Sequence, residues 1–347
     1  MKRALIVAPG RGSYGRGTLG ILKDRSPEAT AIIDECDEAR GRAGRTLLRH
    51  LDAEPSFRGA LHVAGHNASL LTFAASLCDW VELDREAYEV VGVCGNSMGW
   101  YTALAATGAL PLADAIELVD TMGAYQEEGV IGGQIMTALT VEGVTPDPEL
   151  RAAVDAAIQT ARTAGAGAWW SIDLGSHAVL GADADGLKIL EAELPKIDAG
   201  ARTFPIRLPL HSAFHTPLLG PTSERAQVDL QHLAFQAPNV PLTDGRGLVF
   251  RPRWADPQAL QAYTLGAQVT EPYDFYTGLE SALSHCGADV IVLLGPGNAL
   301  GGPVSRALQR MGWAGLRDRA SFDARQAEDP VLLSFGIAPQ RARLVRS

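Results

Sequence analysis

One serine stands between two glycines where an apolar run gives way to helix-forming residues. The run V-V-G-V-C, residues 90–94, leads into G-N-S-M-G, residues 95–99. Gly-x-Ser-x-Gly between a strand and a helix is the pattern of a nucleophile elbow, a sharp turn that exposes a serine hydroxyl. The pattern predicts Ser97 as a nucleophile, with an oxyanion stabilised by the helix N-terminus and the backbone N–H of Met98. The alternative is an ordinary turn with a helix-capping serine.

A serine nucleophile needs a base, and one stretch of the chain offers two candidates. L-P-L-H-S-A-F-H-T-P-L-L, residues 208–219, carries His211 and His215 in a loop that enters a helix. Either imidazole could accept the serine proton, and their spacing does not decide between them. Five other histidines lie in helix-like or edge contexts and are predicted to be structural: His50, His62, His66, His232 and His285.

The elements that must position these residues alternate between strand and helix. The apolar pattern predicts strands at 4–8, 90–94, 135–141, 168–172 and 290–293, and helices at 102–106, 112–125 and 148–163. Such alternation predicts an α/β fold with a mostly parallel sheet and helices on both faces. We expect residues 133–205 to form a small α+β insertion, which leaves 1–132 and 206–347 as the large domain.

Composition narrows the class of protein. With 347 residues, 46% of them hydrophobic, the chain can bury a large core. The net charge of −10 argues against nucleic acid as a partner. No apolar run approaches the roughly 20 residues that cross a bilayer, and the N-terminal run is too short for a signal peptide. Four scattered cysteines without metal spacing favour a cytoplasmic protein with reduced thiols and no metal site.

Four motifs resemble those of one family in the family's own order. G-N-S-M-G-W-Y-T-A-L-A-A-T-G-A-L, residues 95–110, resembles G-H-S-L-G-E-Y-x-A-L-x-A-x-G-A-L of malonyl-CoA:acyl carrier protein transacylases and polyketide synthase acyltransferase domains. S-A-F-H-T-P-L-L, residues 212–219, is similar to the family's H-A-F-H-S-x-L-M, which puts the base on His215. The family's P-G-Q-G-x-Q and E-x-G-P-G-K-V-L correspond to residues 9–14 and 293–300. The resemblance therefore covers nearly the whole chain.

The resemblance implies a hydrolase-like α/β core with a small ferredoxin-like subdomain and an active site in the groove between them. It also implies ping-pong acyl transfer, in which Ser97 attacks an acyl thioester and passes the acyl group to the phosphopantetheine thiol of an acyl carrier protein. Acyl-CoA and acyl-carrier thioesters would be substrates, and no cofactor would be bound permanently. We expect a monomer.

The resemblance also assigns supporting roles. The oxyanion donors would be the backbone N–H groups of Met98 and Arg11, the latter standing where the family has glutamine. In the family a main-chain carbonyl orients the histidine, in a segment that here reads Q-V-T-E-P-Y, and the matching residue is taken as Glu271. Its carboxylate, forming a true triad, is the alternative.

Two departures from the family pattern concern the acyl group. Malonyl-transferring members hold the substrate carboxylate with an arginine about 25 residues after the serine, and here that position is Met122. A thioether suits an uncharged acyl chain, unless another arginine in the groove replaces the missing one. Phe214, before the predicted base, accompanies acyl groups without an α-branch in similar polyketide acyltransferases.

Further departures lie beside the predicted site. Asn96 and Trp100 replace the family's histidine and glutamate next to the nucleophile, and His177 falls in the segment that matches A-N-x-N-x-P-x-Q. We expect these three residues to contribute to substrate binding. Arg306 and Arg310 follow the Gly-Pro-Gly turn and are candidates for docking an acidic carrier protein.

The sequence therefore predicts a stand-alone acyltransferase that serves a carrier protein in polyketide or fatty-acid-type biosynthesis. Its acyl group is expected to be uncharged and without an α-branch. Three alternatives remain open: a hydrolase that clears acyl groups from carriers, a malonyl transferase with a substitute carboxylate anchor, and an inactive protein that only docks carriers.

Overall fold

A computed structural model describes residues 1–199 and 202–346. Within these residues the strands are β1 Lys2–Ala8, β2 Tyr88–Gly95, β3 Gly133–Ala138, β4 Ala168–Asp173, β5 His177–Ala182, β6 Ile197–Ala199, β7 Arg202–Phe204, β8 Ile206–Leu208, β9 Leu242–Thr243, β10 Val249–Phe250, β11 Tyr273–Asp274, β12 Val290–Leu293 and β13 Leu332–Ser334. Each of the five strands predicted from the apolar pattern is present.

Helices fill most of the remaining chain. They are α1 Pro27–Arg42, α2 Leu48–Asp52, α3 Gly59–His62, α4 Gly65–Glu82, α5 Gly99–Ala106, α6 Leu112–Ala124, α7 Pro148–Thr163, α8 Ala184–Glu193, α9 Gly220–Asp229, α10 Pro257–Ala262, α11 Gln268–Thr270, α12 Phe275–Cys286, α13 Gly301–Arg310, α14 Arg319–Glu328 and α15 Ala338–Leu344. A π-helix, Tyr263–Ala267, joins α10 to α11. The three predicted helices are present.

The large sheet has the strand order β10-β9-β2-β1-β12-β13. Its pairings are parallel except at the edge, where β10 runs antiparallel to β9. The central strand β1 is buried from Ala4 to Ala8 because helices cover both faces, which explains its continuous apolar run. The prediction of a mostly parallel sheet is confirmed.

The smaller sheet has the order β11-β4-β5-β3-β8. Its strands and helices follow one another as β3-α7-β4-β5-α8-β8, which is the ferredoxin-like arrangement. Helices α7 and α8 bury Val154, Ile158, Leu187 and Leu190 in a separate core against this sheet. The predicted ferredoxin-like unit is therefore confirmed as part of the fold class.

Two contacts tie the smaller sheet to the large unit. Strand β11 comes from the large unit but pairs with β4, so that Tyr273 lies opposite Ile172. The hydroxyl of the same tyrosine donates to the carbonyl of Gly95 at the end of β2, at 2.6 Å. Strands β8 and β11 both belong to the smaller sheet, although they lie beyond residue 205, where the predicted insertion ends. The boundary at 205/206 therefore stays a prediction.

The described part of the chain contains neither a membrane-spanning helix nor a metal-binding cluster. No helix there is long and apolar enough to cross a bilayer. The same residues hold no group of three or more His, Cys, Asp or Glu side chains that could bind a metal ion.

Candidate active site

The turn around Ser97 has the geometry of a nucleophile elbow. Strand β2 ends at Gly95, helix α5 begins at Gly99, and Ser97 between them adopts φ +55°. A Cβ on Gly95 would lie 2.2 Å from the carbonyl carbon of Gly99, and one on Gly99 would lie 2.3 Å from the carbonyl oxygen of Ala8. The turn therefore requires glycine on both sides, and the packing around it holds the serine in a strained conformation.

His215 lies against the serine. Its Nε2 is 2.7 Å from Ser97 Oγ, and its Nδ1 is 2.6 Å from the carbonyl oxygen of Gln268. A carbonyl only accepts hydrogen bonds, so Nδ1 carries the proton and Nε2 is free to accept from the serine hydroxyl. Burial lowers the pKa of His215 to about 4, although the bond to the carbonyl of Gln268 opposes this shift. The imidazole is therefore neutral near pH 7, as a base must be.

The other candidate base, His211, forms no hydrogen bond with Ser97 in the described part of the chain. Its Nδ1 donates to the carbonyl of Pro209 at 2.9 Å. Burial and the neighbouring charge of Arg11 lower its pKa to about 3. His211 is therefore a neutral imidazole, and it lines the same cavity as Ser97 and His215.

The residue that orients His215 is Gln268, and the prediction of Glu271 is wrong. Helix α11 places the carbonyl of Gln268 toward His215, whereas Glu271 follows the helix end with an extended backbone. The backbone N–H of His215 also donates to the carbonyl of Val269 at 2.8 Å. The segment was located correctly, but the residue within it was displaced by three positions.

The two predicted oxyanion donors, Arg11 and Met98, line the same cavity as Ser97. Arg11 begins the short 3-10 helix Arg11–Ser13 after β1, and Met98 immediately follows Ser97. In the described part of the chain, neither backbone N–H donates to a backbone carbonyl. Both groups are thus available to an oxyanion, and their role stays a prediction.

Ser97 and His215 lie on a cavity of about 700 Å³ between the two units. Apolar side chains from both units line it, including Val119, Met122, Met136, Ile172, Val179, Leu208 and Phe214. No Asp or Glu is among its described lining residues. Its charged lining residues are Arg11, Arg202 and Arg306, so the cavity is cationic although the chain carries a net charge of −10.

The guanidinium of Arg11 is buried in this cavity without an acidic partner in the described part of the chain. It donates to the side-chain oxygen of Gln126 and to the carbonyl of Leu210, and the residue is 9% exposed. Burial lowers its pKa to about 10, with no carboxylate to offset the shift. A buried cation that has only neutral acceptors favours the binding of an anion.

Met122 lies one helical turn before Gln126, whose side-chain oxygen accepts from this guanidinium. Met122 is on α6, Gln126 is on the 3-10 helix Tyr125–Glu127 that follows it, and both line the cavity. Phe214 also lines the cavity, with its ring centroid 6.3 Å from that of His215. The predicted acyl-binding residues therefore share one cavity with the nucleophile.

Of the three further predicted binding residues, two line the cavity and one does not. Asn96 and His177 are lining residues, and burial with the nearby charges of Arg306 and Arg202 lowers the pKa of His177 to about 4. The prediction for Trp100 is wrong, because its side chain is fully buried in the core. Its Nε1 donates to Thr264 Oγ1 at 2.9 Å, so it ties α5 to the π-helix.

Gln134, a polar residue that lies near the predicted base, was not identified from the sequence. Gln134 Nε2 donates to Ser171 Oγ at 2.8 Å, and Ser171 Oγ donates to the carbonyl of Phe214 at 2.8 Å. These bonds fix the backbone immediately before His215. No motif marks Gln134, since it reads as one polar residue in a buried strand.

Comparison with known proteins agrees with the motifs. No protein-family model matches the chain. The malonyl CoA-acyl carrier protein transacylase of Bacillus subtilis is 23% identical over 323 residues, which cover 93% of this chain and 96% of that protein.

Solved structures share the fold. The malonyl-CoA:acyl carrier protein transacylase of Xanthomonas oryzae has a TM-score of 0.74 at 21% identity and covers 100% of this chain and 99% of that chain. An acyltransferase domain of the salinomycin polyketide synthase has a TM-score of 0.70 at 22% identity, over 96% of this chain and 69% of that chain. The chain is thus similar, over nearly its whole length, to the malonyl-CoA:acyl carrier protein transacylases and polyketide acyltransferase domains that its motifs predict.

Proposed function

We propose that the chain is an acyltransferase that moves a carboxylated acyl group, malonyl or a close analogue, from a thioester to an acyl carrier protein. One observation carries the proposal: Ser97 and His215 form a pair on a cavity that also holds the buried guanidinium of Arg11, which has no acidic partner in the described part of the chain. The names of the similar proteins, malonyl CoA-acyl carrier protein transacylases, support the same substrate and acceptor.

The first half-reaction loads the serine. Ser97 Oγ attacks the thioester carbonyl carbon while His215 Nε2 takes the hydroxyl proton. The backbone N–H groups of Met98 and Arg11 stabilise the negative charge on the carbonyl oxygen. When the tetrahedral intermediate collapses, the carbon–sulfur bond breaks and the leaving thiolate receives the proton from His215.

The second half-reaction reverses these steps with another thiol. The phosphopantetheine thiol of the carrier gives its proton to His215, and its sulfur attacks the acyl-serine carbonyl. The carbon–oxygen bond to Ser97 then breaks, and the serine oxygen recovers the proton. The same imidazole therefore acts as base and as acid in each half-reaction.

In place of the uncharged acyl group expected from Met122, we propose a carboxylated acyl group that a substitute arginine, Arg11, holds. Compared with the family pattern, this chain has arginine in place of glutamine at 11 and methionine in place of arginine at 122. Because the guanidinium of Arg11 contacts Gln126, one turn beyond Met122, Arg11 can supply the missing positive charge from a different element. A carboxylate there would form a charge-assisted bond with a cation already out of water.

An exchange of the two positions tests this proposal. Arg11→Gln keeps the backbone N–H but removes the charge, so kcat/KM for malonyl-CoA should fall by about 10- to 100-fold, the loss expected for a charged hydrogen bond. The double variant Arg11→Gln with Met122→Arg should recover malonyl transfer, because it restores the family pattern. Turnover of acetyl-CoA serves as the control and should change little.

Two results would contradict the proposal. If the wild type loads acetyl or a longer straight-chain acyl group in preference to malonyl, the uncharged acyl group expected from Met122 is correct. If carrier protein does not intercept the acyl group and free acid accumulates, the chain is a thioester hydrolase.

A further inference from the structure

The side chain of Gln268 contacts the elbow while its backbone contacts the base. Its Nε2 lies 3.2 Å from the carbonyl oxygen of Ser97, and its own carbonyl accepts from His215 Nδ1. The residue is 2% exposed. We infer that the Gln268 side chain is a positioning group that fixes the elbow relative to His215, an inference that rests on the proposed role of these two residues.

Tyr101 sets the direction of the amide. The Tyr101 hydroxyl donates to Gln268 Oε1 at 2.9 Å, which leaves the NH₂ end of the amide to face the carbonyl of Ser97. Burial raises the pKa of Tyr101, so its hydroxyl stays protonated and remains a donor. The amide is thereby held with one group accepting and the other donating.

These hydrogen bonds hold two residues whose backbones are strained, Ser97 and His215. Ser97 has φ +55° and His215 has φ +61°, a region that non-glycine residues rarely occupy. A conformation of this kind persists only where the surroundings enforce it. Gln268 supplies a bond to the backbone of Ser97 and a bond to the ring of His215, and the next carbonyl binds the backbone of His215.

The segment that carries Gln268 is hydrogen-bonded to α5, the helix that follows the nucleophile elbow. The π-helix Tyr263–Ala267 ends directly before Gln268, and such irregular turns recur at functional sites. The bond from Trp100 Nε1 to Thr264 Oγ1 is a second link between α5 and this segment. The glutamine side chain therefore lies between two elements that are already fixed to each other.

Gln268→Glu distinguishes positioning from a merely structural role. The substitution keeps the shape, and an ionised carboxylate cannot donate to the carbonyl of Ser97, whereas a protonated one can. Burial raises the pKa of such a carboxyl, so lower pH should restore the donor. The other titratable groups of this cluster are His215, Tyr101 and Tyr273; burial lowers the pKa of the first and raises those of the tyrosines.

The primary readout is the rate at which phenylmethylsulfonyl fluoride sulfonylates Ser97, measured by the increase in intact protein mass. In this reaction the serine oxygen bonds to sulfur, fluoride leaves, and His215 takes the proton, so no acyl substrate is needed. At pH 7.5 the rate for Gln268→Glu should be about 10- to 100-fold below wild type, as for a lost buried hydrogen bond. Between pH 7.5 and 5.5 it should rise several-fold while the wild-type rate stays level.

Two companion variants complete the test. Gln268→Met should be slow at every pH, because it never donates, and Tyr101→Phe should lose a smaller factor without pH dependence. Wild-type rates in Gln268→Glu at pH 7.5, or an equal loss at both pH values, would overturn the inference. Failure of malonyl-CoA to load the wild type, with sulfonylation behaving as expected, would refute the proposed function instead.

Discussion

At the scale of single residues, the site depends on two side chains that lie 118 positions apart in sequence and meet at 2.7 Å. Ser97 and His215 share a left-handed backbone, which points each side chain away from the path of its own chain. Strain of this kind costs roughly 1–3 kcal/mol per residue, and the surrounding hydrogen bonds must offset it. The geometry of the Ser97–His215 pair therefore depends on the surrounding hydrogen bonds as much as on the two residues themselves.

The pH dependence of the wild type follows from His215. Its pKa is lowered to about 4, so the neutral imidazole persists as the pH falls well below the ordinary histidine value of about 6.5. We expect acyl-Ser97 formation to be level from pH 8 to about 5.5 and to fall at more acidic pH. A single-turnover rate profile with a midpoint near 6.5 would show that burial does not hold the ring neutral.

The stability of the fold must be measured alongside that profile. His177, His211 and His215 all have lowered pKa values in the folded chain, so the unfolded chain binds more protons as the pH falls below about 6.5. The free energy of unfolding should therefore decrease from pH 6.5 toward pH 4. Melting temperatures at each pH separate this loss from the titration of the base.

What the sequence could predict at this scale depended on side-chain chemistry. The serine and its elbow have a local pattern that predicts Ser97 directly, and the motif resemblance favours His215, the histidine that the structure places against the serine, over His211. The orienting carbonyl of Gln268 has no side-chain signature, since every residue offers one. Likewise Trp100 was misplaced because sequence does not show whether a residue beside the nucleophile faces the cavity or the core.

At the scale of elements, long apolar runs were predictable and short strands were not. Strands β1 and β12 are continuous apolar runs because the sheet buries both faces. Strands β8 and β11 have three and two residues, too few for a periodic pattern, and only their distant pairing partners define them. For this reason the division of the chain at residue 205 stays a prediction.

Two different elements contribute cations near His177. Arg306 lies on α13 and Arg202 lies on β7, and both line the cavity. The other docking candidate, Arg310, has its guanidinium 4.2 Å from the ring centroid of Tyr276 and is not among the lining residues. We therefore expect Arg306 rather than Arg310 to face the phosphate of a phosphopantetheine arm.

A truncated thioester tests the role of Arg306. Arg306→Gln should lower kcat/KM for malonyl-CoA and malonyl-carrier by about tenfold, in line with one lost phosphate contact. The N-acetylcysteamine thioester of malonate lacks the phosphate and should be turned over as by wild type. The exposed Arg207, on β8 outside the cavity lining, provides the control variant Arg207→Gln. Equal losses with all three substrates would show that Arg306 acts only through the fold.

At the scale of the whole molecule, two units enclose one cationic cavity in an acidic protein. The small unit has its own core under α7 and α8, whereas Ile172 and Val179 of its sheet pack in the core of the large unit, and Tyr273 links that sheet to the end of β2. Negative charge elsewhere repels anionic substrates, so the cavity arginines provide the local attraction. This distribution of charge suits a thioester that is anionic at its carboxylated acyl end and at its phosphate end.

The mass of the protein after brief incubation with malonyl-CoA tests the central claim most directly. We predict a single malonyl adduct that maps to Ser97, is absent from Ser97→Ala, and disappears on addition of carrier protein as malonyl-carrier forms. An intact protein that gains no mass from malonyl-CoA, or that gains it at another residue, would contradict the account.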